Sequence, residues 1–282
     1  MIGFYKSNIN FIIKHAVDPD KRRNVMAQEG CRHYIDLDHY GPHCFDSIPR
    51  HWKDATVKYT EDSLEAYGIV PWQVDKMVYK LTEAFKEEDK GKILKLSAEL
   101  GHYAADACVP LHTTENYNGQ LTGQKGIHGL WESRIPGLLG DQYDLLAGKP
   151  LYIDSPIDKA WETVKTSFSE KDSVLTFEKQ LSDKFPADKK YGFEEGNLPA
   201  GKAGKQNKKT YSKEYATEYN RILNNMPERK MRESIRLVSS LWYTAWVNAG
   251  QPDLDKLKDV VIKEPQKENS RKKPRNLKGH ED

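Results

Sequence analysis

The sequence predicts an all-α fold, a bundle of several helices, on three observations. Apolar residues recur at intervals of three and four along several long segments, no segment shows the sustained alternation of a β-strand, and no internal repeat is present. The 282 residues suffice for one large domain, and the 30% of charged residues indicate a heavily solvated surface. A net charge of +2 gives no global reason to expect a nucleic-acid or membrane partner. The sequence has no run of about 18 apolar residues, the length at which a membrane-spanning helix is expected.

Residues 74–109 predict two amphipathic helices with a break near Asp89. Pro110 ends the second helix, because proline disfavours helical backbone in the residue before it. The apolar side chains that define one face of each helix are Val74, Val78, Leu81, Phe85, Ile93, Leu96, Leu100 and Ala104.

Residues 215–250 predict either two helices or one helix interrupted at Pro227, with Gly250 as the stop. Residues 158–181 predict a further helix. Together these segments predict one all-α domain over residues 1–260. Within it, residues 192–210 are rich in Gly and Lys and are expected to form a mobile insertion. Residues 261–282 are basic, have no apolar face and predict a disordered tail.

A set of imidazoles and carboxylates is spread over four segments of the chain. His102 and Asp106 are four residues apart in the second predicted helix. His128 and Glu132 have the same spacing, so each pair shares one helical face. Nitrogen and oxygen donors suit zinc, and sets large enough for several ions are used to hydrolyse phosphate esters. The other members of the set are Asp18, His33 and His112.

Each pair also has a plainer interpretation. A His–Asp pair four residues apart is commonly a surface ion pair that stabilises a helix by a few tenths of a kcal/mol, roughly. The recurrence of such pairs away from charged runs favours the metal hypothesis. Three cysteines are too few for a disulfide framework, and Cys108 is interpreted as a buried thiol. The remaining histidines are expected to be surface, supporting or tail residues: His15, His39, His43, His51 and His280.

The order of these motifs resembles a known superfamily, that of zinc-dependent phospholipase C and single-strand-specific zinc nuclease. The matching elements are Asp18, HYID at His33, GHYAADACVPLH from Gly101 and GIHGLWE from Gly126. The resemblance covers most of residues 10–255 and is closest to bacterial secreted proteins of the zinc-dependent phospholipase C type. It implies an all-α bundle with a zinc-binding cleft that holds two to three ions.

The resemblance also implies which residues bind zinc. The first ion would be held by Asp18, His33, His102 and Asp106. The second would be held by His112, His128 and Glu132. A third ion would share Asp106 with an N-terminal Trp and a nearby His. Because no such Trp and His precede His15, we expect either an N-terminal truncation or a protein that works with fewer ions.

From the resemblance we expect a zinc-dependent phosphodiester hydrolase, most similar to a phospholipase C, in which metal hydroxide attacks phosphorus. Asp18 and Asp106 would be catalytic, and Glu132, where the nuclease branch more often has Asp, favours the phospholipase. The loop residues expected to contact a phospholipid or nucleic-acid substrate are Asn116, Tyr117 and Asn118.

Two alternatives stay open, a single-strand nuclease of the same superfamily and a non-catalytic zinc-binding protein that lacks the third site. Asp36 and Asp38 either orient imidazoles or are ordinary surface carboxylates. The resemblance implies a secreted or periplasmic protein, although the first residues show no signal peptide.

Overall fold

The structure, a computed structural model, describes residues 1–197, 205–262 and 280. Helices dominate these residues, which confirms the predicted all-α fold. None of the helices in this part of the chain combines the length and apolar character that crossing a bilayer requires. In chain order the helices are α1 Ile2–Ser7, α2 Ile9–His15, α3 Asp18–Arg23, α4 Cys44–Ser47, α5 Trp52–Lys58, α6 Glu61–Tyr67, α7 Val70–Lys86, α8 Lys90–Asp106, α9 Ile127–Gly129, α10 Ile135–Leu139, α11 Pro156–Lys184, α12 Lys213–Ile222 and α13 Met226–Asn248.

The break predicted near Asp89 is confirmed. Helix α7 ends at Lys86 and α8 begins at Lys90, where the Asp89 side chain accepts a hydrogen bond of 3.0 Å from the Lys92 amide. This cap satisfies one of the unpaired amides of the first turn. Helix α8 therefore starts at a defined residue and carries His102 and Asp106 at its C-terminal end.

The predicted C-terminal segment consists of two helices. Pro227 lies in the first turn of α13, a position where the missing amide proton costs no helical hydrogen bond. Gly250 follows α13 with a positive φ of 85° and ends it. The helix predicted over residues 158–181 is α11, which extends a little further at both ends.

The main core lies between α7, α8, α11 and α13. Phe85, Leu100, Trp161 and Leu241 are at most 1% exposed there. A second core lies beneath α9, α10 and α12 and includes Leu111. Because Leu111 precedes His112 in the short 3₁₀ turn Pro110–Thr113, that turn is held between packed elements and not on a free loop.

Residues 192–210, the expected mobile insertion, are described in part, and their mobility stays a prediction. Two antiparallel strands form there, β1 Tyr191–Asn197 and β2 Lys205–Tyr211, with Tyr191 opposite Tyr211. The rings of these two tyrosines lie 4.9 Å apart at the base of the hairpin. The alternation that signals a strand was absent because the hairpin is rich in Gly, Lys and Glu. Residues 198–204 lie outside the described residues, and so does nearly all of the predicted tail, so the domain limits stay predictions.

Candidate metal centre

Two groups of possible metal donors come together in the described part of the chain. Within each group the donor atoms lie within 4.8 Å of one another. The first group consists of Asp20, His33 and His102, and the second of His112, His128 and Glu132.

In the first group, α8 supplies His102, α3 supplies Asp20, and His33 follows the 3₁₀ turn Gly30–Arg32. The Nε2 atom of His102 lies 3.1 Å from His33 Nδ1 and 3.4 Å from Asp20 Oδ1. His33 Nδ1 and Asp20 Oδ1 are 3.7 Å apart. Ligands of a tetrahedral zinc ion with bonds of about 2.0 Å are about 3.3 Å apart, so these donors fit one ion.

The second group is tighter. The His112 Nε2 atom lies 3.2 Å from both His128 Nε2 and Glu132 Oε1, and the latter two atoms are 3.1 Å apart. Glu132 lies in a π-helical turn, Leu130–Arg134, between α9 and α10, and such wide turns are frequent at functional sites. The Nδ1–H of His112 donates to the His33 carbonyl at 2.6 Å. This bond directs Nε2 toward the other two donors.

The Asp106 carboxylate lies between the two groups. Its Oδ2 atom lies 2.9 Å from His33 Nδ1 and 3.5 Å from His102 Nε2. Its other oxygen, Oδ1, is 3.7 Å from His112 Nδ1. Oδ2 therefore faces donor atoms of the first group, whereas Oδ1 approaches the His112 nitrogen that bonds the His33 carbonyl and not the Nε2 donor of the second group.

The charges of the centre reinforce one another. Burial opposes ionisation of Asp106 and Glu132, but the neighbouring imidazoles outweigh it and lower the pKa of both carboxyls. Burial likewise disfavours the His112 imidazolium, yet Glu132 and Asp106 raise the pKa of His112 to about 10. Protons on the imidazoles thus balance buried carboxylates, and a dication that displaces them would fill the same electrostatic role.

The structure places Asp20, and not Asp18, in the first group. Asp18 Oδ2 lies 2.5 Å from His15 Nδ1, and Asp18 Oδ1 accepts a hydrogen bond of 2.9 Å from Lys21. The two aspartates both belong to α3 and are two residues apart, so they point in directions about 200° apart around the helix. Asp20 lies in the same DPDKRR phrase as Asp18 but is not among the ligands expected from the sequence. The ligand role of Asp18 stays a prediction.

Two of the three residues expected to contact substrate make hydrogen bonds within their own loop. Asn116 is buried, and its side chain bonds Thr122 and the Leu121 amide. Asn118 Oδ1 accepts bonds from the amides of Gly126 and His128, at 2.8 and 3.4 Å, and so positions the start of α9.

Asp36 and Asp38, the two carboxylates that could orient imidazoles, have different partners. Asp38 accepts bonds from the Thr114 hydroxyl and the Glu115 amide, so it anchors the backbone after His112 and not an imidazole. Asp36 bonds an imidazole from an unexpected source, His280.

His280 lies in a narrow space that we call the tyrosine slot, formed by Tyr34, Tyr117 and Asp36. The imidazole is nearly parallel to both tyrosine rings, with centroids 3.9 Å away on each side, and its Nε2 lies 2.8 Å from Asp36 Oδ1. Its ring is also 6.1 Å from that of His112. The sequence predicts only a tail residue at His280, and no local signal points to this contact. The third expected substrate residue, Tyr117, therefore does lie beside the centre.

One comparison with known proteins finds a family. A family model described as zinc dependent phospholipase C matches residues 2–195, a segment that contains both donor groups and Asp106. A comparison with curated proteins finds no match.

Proposed function

The chain belongs to the zinc-dependent phospholipase C family, and on this premise we propose that it is a zinc-dependent phosphodiester hydrolase of the phospholipase C type. The observation that carries the proposal is the pair of three-donor groups, with spacings of 3.1–3.7 Å, and the Asp106 carboxylate between them. A purely structural zinc site needs one closed set of four ligands, whereas two open sets side by side suit chemistry on a phosphate.

In this proposal, Asp20, His33 and His102 hold one ion, His112, His128 and Glu132 hold a second, and Asp106 serves both. Zinc bound there supplies Lewis acidity toward the phosphoryl oxygens and a water of lowered pKa. Two Zn²⁺ ions carry four positive charges, and three carboxylates, those of Asp20, Asp106 and Glu132, carry three negative charges. The net charge of +1 complements the single negative charge of a phosphodiester. The described donors account for two ions, and a third stays a prediction.

The tyrosine slot favours a second candidate, the single-strand nuclease. Two parallel rings that already hold a flat imidazole would also stack a nucleobase, and base stacking on aromatic side chains is a main source of single-strand binding. A base would have to displace His280 from the slot. His280→Ala is therefore expected to lower the KM for single-stranded DNA and to leave the KM for a small diester without a base unchanged.

The test combines metal content with turnover of bis(p-nitrophenyl) phosphate by the full chain. We expect at least two zinc ions per chain and turnover that chelation abolishes and zinc restores. His102→Ala should lose one ion and the turnover, and Lys21→Ala, a change on the neighbouring exposed surface, should lose neither. Two tightly held ions without turnover would instead support the non-catalytic zinc-binding protein.

Substrate class is tested by comparing phosphatidylcholine vesicles with single-stranded DNA in one buffer. Release of the phosphorylated head group, with the DNA intact, is the expected result. Cleavage of the DNA with the lipid untouched would reverse the order of the two candidates. A secreted or periplasmic location is the corresponding proposal for the cell, and fractionation of the native host tests it.

A further inference from the structure

The two ring nitrogens of His33 have different surroundings. Nδ1 faces Asp20, His102 and Asp106, as described above. Nε2 points away from them into the interior and, among the described residues, has no hydrogen-bond partner. The Oε1 atom of Glu29, one helical turn earlier in the chain, lies 3.8 Å from this nitrogen. A buried ring nitrogen without a hydrogen-bond partner costs free energy, and the nearest carboxylate oxygen is that of Glu29.

Glu29 is itself fully buried, and its carboxylate is held in place from several sides. Arg32 donates to Oε2 at 2.6 Å, and Arg22 approaches both oxygens at 3.4 Å. The Tyr103 hydroxyl donates to Oε1, the oxygen that faces His33. A carboxylate is buried at such cost only when partners compensate it, and here they also set its orientation.

We propose that Glu29 is a positioning residue for the metal ligand His33, whose Nε2–H it accepts so that Nδ1 stays unprotonated toward the metal. A metal-binding imidazole commonly donates its other N–H to a carboxylate, which sets the tautomer and the ring orientation. Closing the gap of 3.8 Å to hydrogen-bond distance needs a movement of about 1 Å, within reach of a small ring rotation. Tyr103 and Arg22 hold the carboxylate so that Oε1 is the oxygen that faces His33.

The role of Glu29 rests on the proposed function, in which His33 is a metal ligand. A matched pair of variants tests the role of Glu29 separately from that function. Glu29→Gln keeps the size of the side chain and removes its charge. Glu99→Gln does the same to another buried carboxylate, which accepts a bond of 2.7 Å from Arg22 but has no contact with the donor groups among the described residues. Zinc affinity is measured by chelator competition on the full chain, and the thermal midpoint of the metal-free protein measures any structural damage.

Glu29→Gln is expected to lower zinc affinity about 10- to 100-fold, the usual effect of losing an outer partner of a metal ligand. Glu99→Gln is expected to keep the zinc affinity close to that of the unmodified chain, even if its thermal midpoint falls as far as that of Glu29→Gln. Equal zinc affinities in the two variants would overturn the role of Glu29. Failure of the unmodified chain to bind zinc would overturn the proposed function instead.

A measurement on the unmodified protein covers the case in which Glu29→Gln does not fold. In the ¹⁵N spectrum of the zinc-loaded chain, with imidazole signals assigned through a His33→Gln variant, we expect His33 to carry its proton on Nε2. A proton on Nδ1, with Nε2 as the ligand, would contradict the proposal, because Glu29 would then face the metal-binding nitrogen.

Discussion

Replacing Asp20 by Asn is expected to weaken zinc binding far more than replacing Asp18 by Asn. Asp20 Oδ1 lies 3.4 and 3.7 Å from the donor nitrogens of His102 and His33. Asp18 instead contacts His15 and Lys21. Asparagine preserves the volume of either side chain, so each change isolates the loss of one negative charge.

The expected magnitudes follow from these contacts. Loss of an outer partner alone typically lowers metal affinity 10- to 100-fold, so loss of a direct anionic ligand should cost at least about 100-fold, or about 2.7 kcal/mol. The Asp18 side chain is 26% exposed, and solvent screens its ion pairs. Asp18→Asn should therefore cost at most about 1 kcal/mol of folding stability and leave the zinc affinity unchanged.

Chelator competition measures the zinc affinity of each variant, and thermal unfolding of the metal-free protein measures stability. Bis(p-nitrophenyl) phosphate turnover at saturating zinc then shows whether the remaining donors still support activity. If Asp18→Asn loses zinc while Asp20→Asn retains it, the placement of α3 that underlies the centre is wrong.

Three further outcomes are expected. Asp106→Asn should reduce turnover more than Glu132→Gln, because Asp106 is proposed to serve both ions: its Oδ2 contacts His33 and its Oδ1 approaches the His112 ring. Equal losses at unchanged metal content would reject the bridging role. Zinc affinity should rise by about tenfold per pH unit for each proton displaced, at least up to neutral pH. Burial disfavours the His112 imidazolium, but Glu132 and Asp106 raise the pKa of His112 to about 10. A proton on His112 therefore competes with zinc, and a zinc affinity that does not change with pH would contradict this competition. The thiols should resist alkylation in the native protein and react only after unfolding, because all are buried and burial raises their pKa; fast native labelling of any of them would show that its environment is open. These thiols are Cys31, Cys44 and Cys108.

Much of this protein follows from local patterns in its sequence. The helical period around Asp89 and the proline at position 227 place α7, α8 and α13 within a few residues of their observed bounds. The i, i+4 spacing of His102 and Asp106 is likewise sufficient to put both side chains on one face of α8. Helical periodicity depends only on neighbouring residues, so it can be recognised without knowledge of the fold.

Other features depend on how distant segments pack. Asp20 and Asp18 share one short helix, and only the docking of α3 against α8 determines which of them meets His102. Asp36 and His280 are in contact although they are 244 residues apart in the sequence, and Tyr103 bonds Glu29 across a separation of 74 residues. Such contacts carry no local periodicity, since each depends on the mutual orientation of separately formed elements. The sequence alone therefore determined the helices and most of the expected donors. Packing in three dimensions determined which carboxylate completes the first group, which residue faces Nε2 of His33 and which ring fills the tyrosine slot.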